Sequence, residues 1–335
     1  TTSDILTTAN LPATLGADAP YENMGTIQTK GWELAIDYRH TFKNGLHFGV
    51  TASVADDKTE VTKWTYNTKI PSYGATGWWD KSAYKEGMVL GDIWGLQFDR
   101  FLTEDDFNAD GSLKAGLPDQ TKVFPAGYQF APGDVLYKDL DNNGEIVKQT
   151  NTNDKGDLSV IGNALPRLQF GLNLDAAWKG FDISMFFQGV AKRKLWAAGN
   201  QVLPGFTTGE PFYKGAEDYW TPENTDAFYP RPMDYKQSAS GNYSVNDRYL
   251  LNMAYLRLKT FTVGYSLPKV WLSKFKVQGL RVYFTGENLF TIDGVKPAID
   301  PEIGIRTASG KSDQRNFGRS YPYQKTVSFG IQLSL

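Results

Sequence analysis

Apolar and polar residues alternate with a period of two over segments of about ten residues or more, and this pattern constrains the chain more than any other feature. Trp32, Leu34, Ile36 and Tyr38 alternate with Glu33, Ala35, Asp37 and Arg39. Leu46, Phe48, Val50, Ala52 and Val54 alternate with His47, Gly49, Thr51 and Ser53. The pattern returns at Leu168, Phe170, Leu172, Leu174, Ala176 and Trp178, and again at Phe181, Ile183, Met185 and Phe187. It continues through Phe261, Val263, Tyr265 and Leu267, then Leu280, Val282, Phe284 and Gly286, and ends at Tyr323, Lys325, Val327, Phe329, Ile331, Leu333 and Leu335. Successive side chains of a strand point to opposite faces, so each segment is a strand with one apolar and one polar face.

Seven strands are expected, at about 26–42, 46–56, 167–178, 181–190, 253–267, 277–287 and 322–335. Most run about 10 to 14 residues, which suits a tilted membrane-spanning strand of about 9 to 11 residues better than a globular strand of about 5 to 6. Lys43-Asn44-Gly45 and Lys179-Gly180 read as tight hairpin turns, and a turn containing Pro268 joins the fifth and sixth strands. Three long polar excursions, about 57–166, 191–252 and 288–321, separate the hairpins. Asp92 to Phe98 also alternates and reads as a hairpin projecting outside the membrane. Short turns on one side and long loops on the other are the arrangement of an outer-membrane β-barrel. Phe42, Trp178, Phe181, Tyr265 and Trp271 stand beside the short turns, where an interfacial girdle belongs. A bacterial barrel closes with an even number of strands, so seven implies further strands outside this chain.

Composition narrows the alternatives. None of the 335 residues is Cys, which excludes disulfides, thiolate metal sites and thiol nucleophiles. The net charge of −2, without a basic cluster, argues against nucleic-acid binding. No apolar stretch reaches the roughly 18 to 20 residues of a spanning helix, and a mean hydropathy of −0.42 is compatible with a barrel because polar faces and loops dilute the average. No targeting segment is visible at Thr1.

Several blocks carry a family likeness. Asn23-Met24-Gly25-Thr26-Ile27-Gln28-Thr29-Lys30-Gly31-Trp32-Glu33-Leu34 resembles a characteristic segment of the SusC/RagA family of TonB-dependent outer-membrane transporters. Four further blocks agree in order: Pro132-Gly133-Asp134 leading to Lys138 through Gly144; Ile161-Gly162-Asn163 to Pro166; Tyr255-Leu256-Arg257-Leu258-Lys259 to Pro268; and Gly286 through Thr291 followed by Asp300-Pro301-Glu302. The resemblance implies an all-β fold, the C-terminal section of a 22-stranded transmembrane antiparallel β-barrel with long extracellular loops, in the outer membrane. Residues 1–335 then form the C-terminal part of the barrel, and the plug domain lies outside the chain. It also implies TonB-dependent import of an oligomeric nutrient, a glycan in first place and a peptide as the RagA-type alternative. The implied partners are a SusD-like surface lipoprotein that acts as a lid, TonB through the N-terminal part, outer-membrane lipid, and a dimer of such pairs. The C-terminus matches the barrel-assembly signal as Ser328-x-Gly330-x-x-Leu333-x-Leu335, with Leu where an aromatic is commoner.

Two constellations invite a chemical reading. Asp139-x-Asp141-x-Asn143-Gly144-Glu145 opens like a Ca²⁺ loop, with oxygen ligands at alternate positions and a turn glycine at the sixth. Position twelve is Thr150, and Asp157 is the candidate to replace the missing acid; the alternative is a turn held by Asx hydrogen bonds. A second partial copy, Asp106-x-Asn108-x-Asp110-Gly111, has Leu117 at that position and reads as a turn. For cargo or lid contact, Tyr73, Trp78, Trp79, Trp196, Phe206, Tyr213, Tyr219, Trp220 and Tyr229 supply flat aromatic surfaces beside Asn200, Glu210, Asp218, Asn224 and Arg231. The alternative is that these loops pack on one another. Glu33, Asp37, Arg39, Gln169, Asn173, Asp175, Arg281 and Glu287 fall on the polar face and line the lumen, whatever the cargo.

No catalysis is expected. His40 and His47 stand alone near a turn, and Glu104/Asp106 and Glu217/Asp218 are sequence neighbours of the kind that loops solvate. No cofactor is expected beyond Ca²⁺ in the 139–157 loop. Readings from other classes are a passive porin or adhesin barrel and a secreted β-sandwich lectin; detergent dependence separates the last.

Overall fold

The computed structural model describes residues 1–8, 20–64, 85–148, 155–197, 199–205, 212–233, 241–273, 277–296, 299–302 and 323–334. Its strands are, in order, β1 (Thr2–Thr8), β2 (Tyr21–Thr41), β3 (His47–Trp64), β4 (Asp92–Gly95), β5 (Phe98–Phe101), β6 (Val135–Tyr137) and β7 (Ser159–Asn163). They continue as β8 (Arg167–Trp178), β9 (Phe181–Lys192), β10 (Lys194–Leu195), β11 (Leu251–Asn252), β12 (Tyr255–Ser266), β13 (Gly279–Asp293) and β14 (Thr326–Ser334). One α-helical turn, α1 (Lys269–Leu272), lies between β12 and β13.

Eight strands form one antiparallel sheet in the order β1-β2-β3-β8-β9-β12-β13-β14, so every strand lies beside the sheet strand that precedes it in sequence. The seven expected strands are all present; the eighth, β1, pairs with residues 21–27 of β2. Asp4 at a φ of +57° and two register shifts break the alternation of β1, which is why a period-two reading passes over it. The sheet strands thus number eight where an odd seven is expected. The sheet is open: its outer strands, β1 and β14, each have one neighbour among the described residues, as in a section of a larger barrel.

Register makes the two faces continuous. Tyr38, Val50, Leu174, Met185, Phe261, Gly286 and Val327 lie opposite one another across seven strands, as do His40, Phe48, Ala176, Ile183, Val263, Phe284 and Phe329. The neighbouring row on the other face is Asp37, Thr51, Asn173, Phe186, Thr260, Glu287 and Thr326. One side is thus an apolar wall left bare by the described residues, with Leu34, Ile36, Phe329 and Ile331 each more than half exposed. A bare apolar surface of this extent marks a lipid or protein contact. The other side is polar, and Thr51 donates to Asp37 at 2.6 Å while Arg281 grips Asp182 at 3.0 and 2.5 Å. Glycines on that face make room for large neighbours: Tyr283 packs over Gly330, and the Arg281 guanidinium crosses Gly264.

The tight connections all lie at one end of the sheet. Gly45 at φ +82° and the Lys179-Gly180 pair at +48° and +90° take the left-handed conformations that such hairpins require. At the other end β2 and β3 run on, pairing as far as Gly25 and Trp64, so their hairpin stands well beyond the expected end at residue 56. The alternation at 92–98 belongs to two separate short strands, not one hairpin: β4 pairs with β7, and β5 with β6.

Candidate functional site

The long excursions are not independent loops. They interlock in two hydrophobic clusters at the end of the sheet away from the tight turns. One joins Ile93 and Ala164 of the first excursion to Leu195, Trp196, Leu203, Tyr243 and Tyr249 of the second and Val295 of the third. The other gathers Leu96, Val135, Tyr137, Ile146 and Leu158 around Trp220 and Ala227. Backbone bonds sew the seam: Leu96 N–H donates to the Val245 carbonyl at 2.9 Å, and Phe98 N–H to the Asp247 carboxylate at 2.8 Å.

Buried polar networks fix this assembly. Asp134, wholly buried, accepts from the Tyr128 hydroxyl at 2.9 Å, Arg231 Nε at 2.8 Å, Asn242 Nδ2 at 3.0 Å and the Ala131 N–H at 2.9 Å. The preceding Gly133, at φ +90°, packs so tightly on the Trp220 ring that no Cβ fits there. A second network ties the third excursion to β12: Arg257 reaches Asp300 at 2.7 Å and Glu302 at 3.2 Å, and Lys259 reaches Glu302 at 2.6 Å. The 255–259 and 300–302 blocks, which sequence marks only as signatures, are therefore the two halves of one buried charge cluster.

Two places in the assembly offer chemistry. The first is the acidic turn. Asn142 and Gly144, at φ +58° and +86°, curl the chain so that Gly144 N–H donates to Asp139 Oδ2 at 2.7 Å and Asn143 N–H to Asp141 Oδ1 at 3.1 Å. Asp157, buried, accepts from Leu140 N–H at 2.8 Å and Val147 N–H at 2.7 Å, which carries it to the turn. Carboxylate oxygens of Asp139, Asp141 and Asp157 then lie within 4.8 Å of one another. Asp139 Oδ1 is buried without a hydrogen-bond donor. Burial, the Asp157 charge and contact with Asp139 push the Asp141 carboxyl up. Three carboxylates sharing one space around an orphaned oxygen are what a hard cation neutralises, so the donor set fits Ca²⁺. The Asn143 side chain instead accepts from Glu145 N–H at 2.8 Å and donates to Asp141 Oδ2 at 2.9 Å, and the Glu145 carboxylate turns outward to Lys122, so neither side chain adds an oxygen to the three acids. Thr150 lies outside the described residues. The 106–113 copy is a turn: Asp106 pairs with Arg100, and Asp110 accepts from Ser112.

The second is an aromatic groove of about 470 Å³, walled by Pro204, Phe212, Tyr213, Tyr219, Pro230 and Pro232 over a floor of Tyr229 and Tyr243. Its volume is in the range of small-ligand pockets. Phe212, Tyr213 and Tyr219 are exposed along it. Burial raises the Tyr229 hydroxyl to about 12, and it stays protonated as a donor to the Val202 carbonyl at 3.0 Å.

The expected contact residues therefore divide. Tyr213 and Tyr219 face the groove. Trp196 and Trp220, 2 % and 7 % exposed, are core residues and offer no surface; indole rings in mixed loops are the side chains a small core most readily recruits. Tyr229 and Asn200 are buried too, Arg231 is committed to Asp134, and Asn224 holds Asp218 within their own turn. Tyr73, Trp78, Trp79, Phe206 and Glu210 lie outside the described residues. Phe212 escaped the sequence reading although its neighbour Tyr213 marked the place. Of the assembly signal, Ser328 and Gly330 fall on the polar face and Leu333 on the apolar face of β14; Leu335 lies outside the described residues.

No family model matches the chain. Among curated proteins it is similar to TonB-dependent receptor P3 of Formosa agariphila, 26 % identical over 99 % of this chain and 31 % of that protein. TonB-dependent receptor P26 of the same organism is 26 % identical over 99 % of this chain and 32 % of the relative. TonB-dependent receptor SusC of Bacteroides thetaiotaomicron is 22 % identical over the whole chain and 29 % of the relative. The chain thus spans about a third of the length of the relatives it matches. Among solved structures, the RagAB peptide transporter superposes with a TM-score of 0.66 at 19 % identity, covering 99 % of this chain and 32 % of that one. The closed-closed state of the RagAB peptide importer gives 0.63 with the same coverage. The resemblance drawn from the sequence blocks is borne out, and the sheet has the fold of a section of these barrels.

Proposed function

We propose that this chain forms barrel wall and extracellular loops of a SusC-like TonB-dependent transporter that imports an oligomeric nutrient across the outer membrane. The observation that carries the reading is the two-faced sheet, bare and apolar on one side, with every tight turn at one end and a packed loop assembly at the other. Similarity to TonB-dependent receptors along nearly the whole chain supports it.

Import here is capture and release, not bond chemistry. Cargo held between the loop assembly and a SusD-like lipoprotein lid would pass into the polar lumen once energy from TonB moves the plug. The aromatic groove around Phe212, Tyr213 and Tyr219 is the cargo or lid contact of this section. Flat π-faces along the groove suit a glycan as cargo, while the RagAB structures are of a peptide transporter, which keeps an oligopeptide as the second reading. Asp139, Asp141 and Asp157 hold Ca²⁺, which would supply the positive charge that three converging carboxylates lack and so lock the turn.

Purification from native outer membranes through a C-terminal tag, with mass analysis of every co-purifying polypeptide and small molecule, tests the main reading. A plug-bearing receptor polypeptide with a surface lipoprotein is expected; a closed barrel built from this chain alone overturns it in favour of a porin. Bound oligosaccharide against bound peptide decides the cargo. For the cation, thermal unfolding of the loop assembly should rise with added Ca²⁺ and cease to respond in Asp157→Asn.

A further inference from the structure

The end of the sheet opposite the loops carries a charge pattern that transport does not use. Three connections meet there, 42–46, 178–181 and the one whose described residues are 267–273 and 277–279, and in sequence they contain lysines and no acidic residue. Each described lysine stands beside an exposed aromatic: Lys43 next to Phe42, Lys179 with its ammonium 4.5 Å from the Trp178 ring centre, and Lys269 two residues before Trp271. The acids near this rim are turned to the polar face: Asp182 pairs with Arg281 at 2.5 Å, and Asp175 lies 3.6 Å from the His47 ring. Lys43, Lys179 and Lys269 are exposed and have no ion-pair partner among the described residues.

The three turns form one structure. Trp178 Nε1 donates to the Asn44 carbonyl at 3.3 Å, bridging the first turn to the second. Ser266 N–H donates to the Gly180 carbonyl at 2.8 Å, and Phe181 packs on Tyr265 with ring centres 4.5 Å apart, bridging the second to the third. In the third connection α1 buries Leu272 and leaves Val270 and Trp271 77 % and 60 % exposed. A helical turn with one apolar anchor inward and an apolar pair outward lies along an interface and does not project from it.

We propose that this rim is a binding surface for anionic phospholipid headgroups of the membrane leaflet in which the tight turns sit. The aromatic residues set the depth, at the boundary of acyl chain and headgroup, and the lysines then stand at the level of the phosphates. Like charges on adjacent hairpins repel unless a counter-charge lies between them, and a lipid phosphate supplies it at the right depth. A soluble acidic partner would need the lysines but not the bare Val270 and Trp271 between them, so the apolar exposure favours lipid.

The inference rests on the membrane reading above. The test uses the protein purified from outer membranes at its native length and reconstituted into phosphatidylethanolamine vesicles containing a minor fraction of phosphatidylglycerol. Acyl-brominated phosphatidylglycerol should quench the rim tryptophans more strongly than brominated phosphatidylethanolamine at equal content. A Lys43→Gln/Lys179→Gln/Lys269→Gln variant should lose that preference by at least about fivefold, since each lysine near an anionic surface contributes about 1 kcal/mol. The matching Lys→Arg variant should keep it, as should Gln at Lys114, Lys122 and Lys214 in the loop assembly. An unchanged preference in the triple Gln variant overturns the proposal, and so does loss of a co-purifying acidic protein with lipid preference intact. Heat-modifiable migration of each variant reports folding separately. A protein that never fractionates with the outer membrane defeats the membrane reading itself.

Discussion

Asp37 and Asp134 both accept a hydroxyl hydrogen bond, yet they live under different physical rules. Asp37 stands about half exposed on the polar face of the sheet, takes bonds from Thr51 at 2.6 Å and Arg39 at 3.4 Å, and leaves its other lone pairs to water. Asp134 is wholly buried in the loop assembly and is bonded by Tyr128, Ala131, Arg231 and Asn242. In the sheet, strand register sorts polar from apolar, and no single side chain holds the fold. In the loops no periodicity does that sorting, so specific buried contacts replace it. A change in the sheet should therefore matter by the face it falls on, and a change in the loops by the partners it orphans.

The sharpest break in that contrast is Arg257→Ala. It leaves Asp300 as an uncompensated buried acid and Glu302 with Lys259 as its remaining partner, which should cost about 3 to 5 kcal/mol of loop stability. Hydrogen exchange should rise across 294–302 while β8, β9 and β12 stay protected. Asp134→Ala should act similarly, by about 3 kcal/mol or more, because it strands the half-buried Arg231 and the fully buried Asn242 amide. Limited proteolysis should then cut within 120–135 and 227–245, with heat-modifiable migration of the barrel unchanged; equal damage to the barrel would erase the distinction between the two regions.

Neighbouring substitutions on β2 sharpen the other half. Ile36→Arg places charge on the apolar face and should cost about 2 to 4 kcal/mol, whereas Asp37→Arg, one residue along, should cost close to nothing. Urea-induced unfolding of the reconstituted protein distinguishes them, and a reversed order would exchange the two faces.

The smallest effect is a pH dependence confined to the loops. Arg100 grips Asp106 through two bonds of 2.6 and 2.7 Å, with Thr103 adding a third, and holds the acid down from 3.8 to about 2. The unfolded chain takes up this proton near 3.8 and the folded chain only near 2, so the stabilisation is complete above the unfolded value. It is lost as pH falls through the folded value, by about 1 to 2 kcal/mol given the exposure of Arg100. Pepsin cleavage of 100–114 should rise over that window, and Asp106→Asn should flatten the rise.

Much of the sheet could be read from residues alone. The alternation of Trp32 through Arg39 and of Val327 through Ser334 assigned each side chain to a face, because a strand offers only two, and the lysine-bearing turns marked where hairpins close. Strand β1 could not be read, since a left-handed Asp4 and two bulges scramble its period. The loops resisted for a deeper reason. Trp196, Trp220, Tyr213 and Tyr219 look equally available in sequence, and only the packing of three distant excursions decides that the first two are core and the last two line a groove.

The acidic turn lies between these cases. Asp139, Asp141 and the positive-φ Gly144 are visible as local spacing, because a turn is made by its own residues. Asp157 arrives through bonds to Leu140 and Val147, and the convergence of three carboxylates is a property of the folded chain. What the sequence determined by itself is whatever depends on neighbours one or two residues apart: strands, their two faces, the tight turns and the Asx geometry. What the tertiary structure decided is everything that depends on contacts across tens of residues: which aromatic is buried, which charge is paired, and which acids share one space. Backbone periodicity is local and repeats, whereas side-chain packing between irregular segments has no period to announce it.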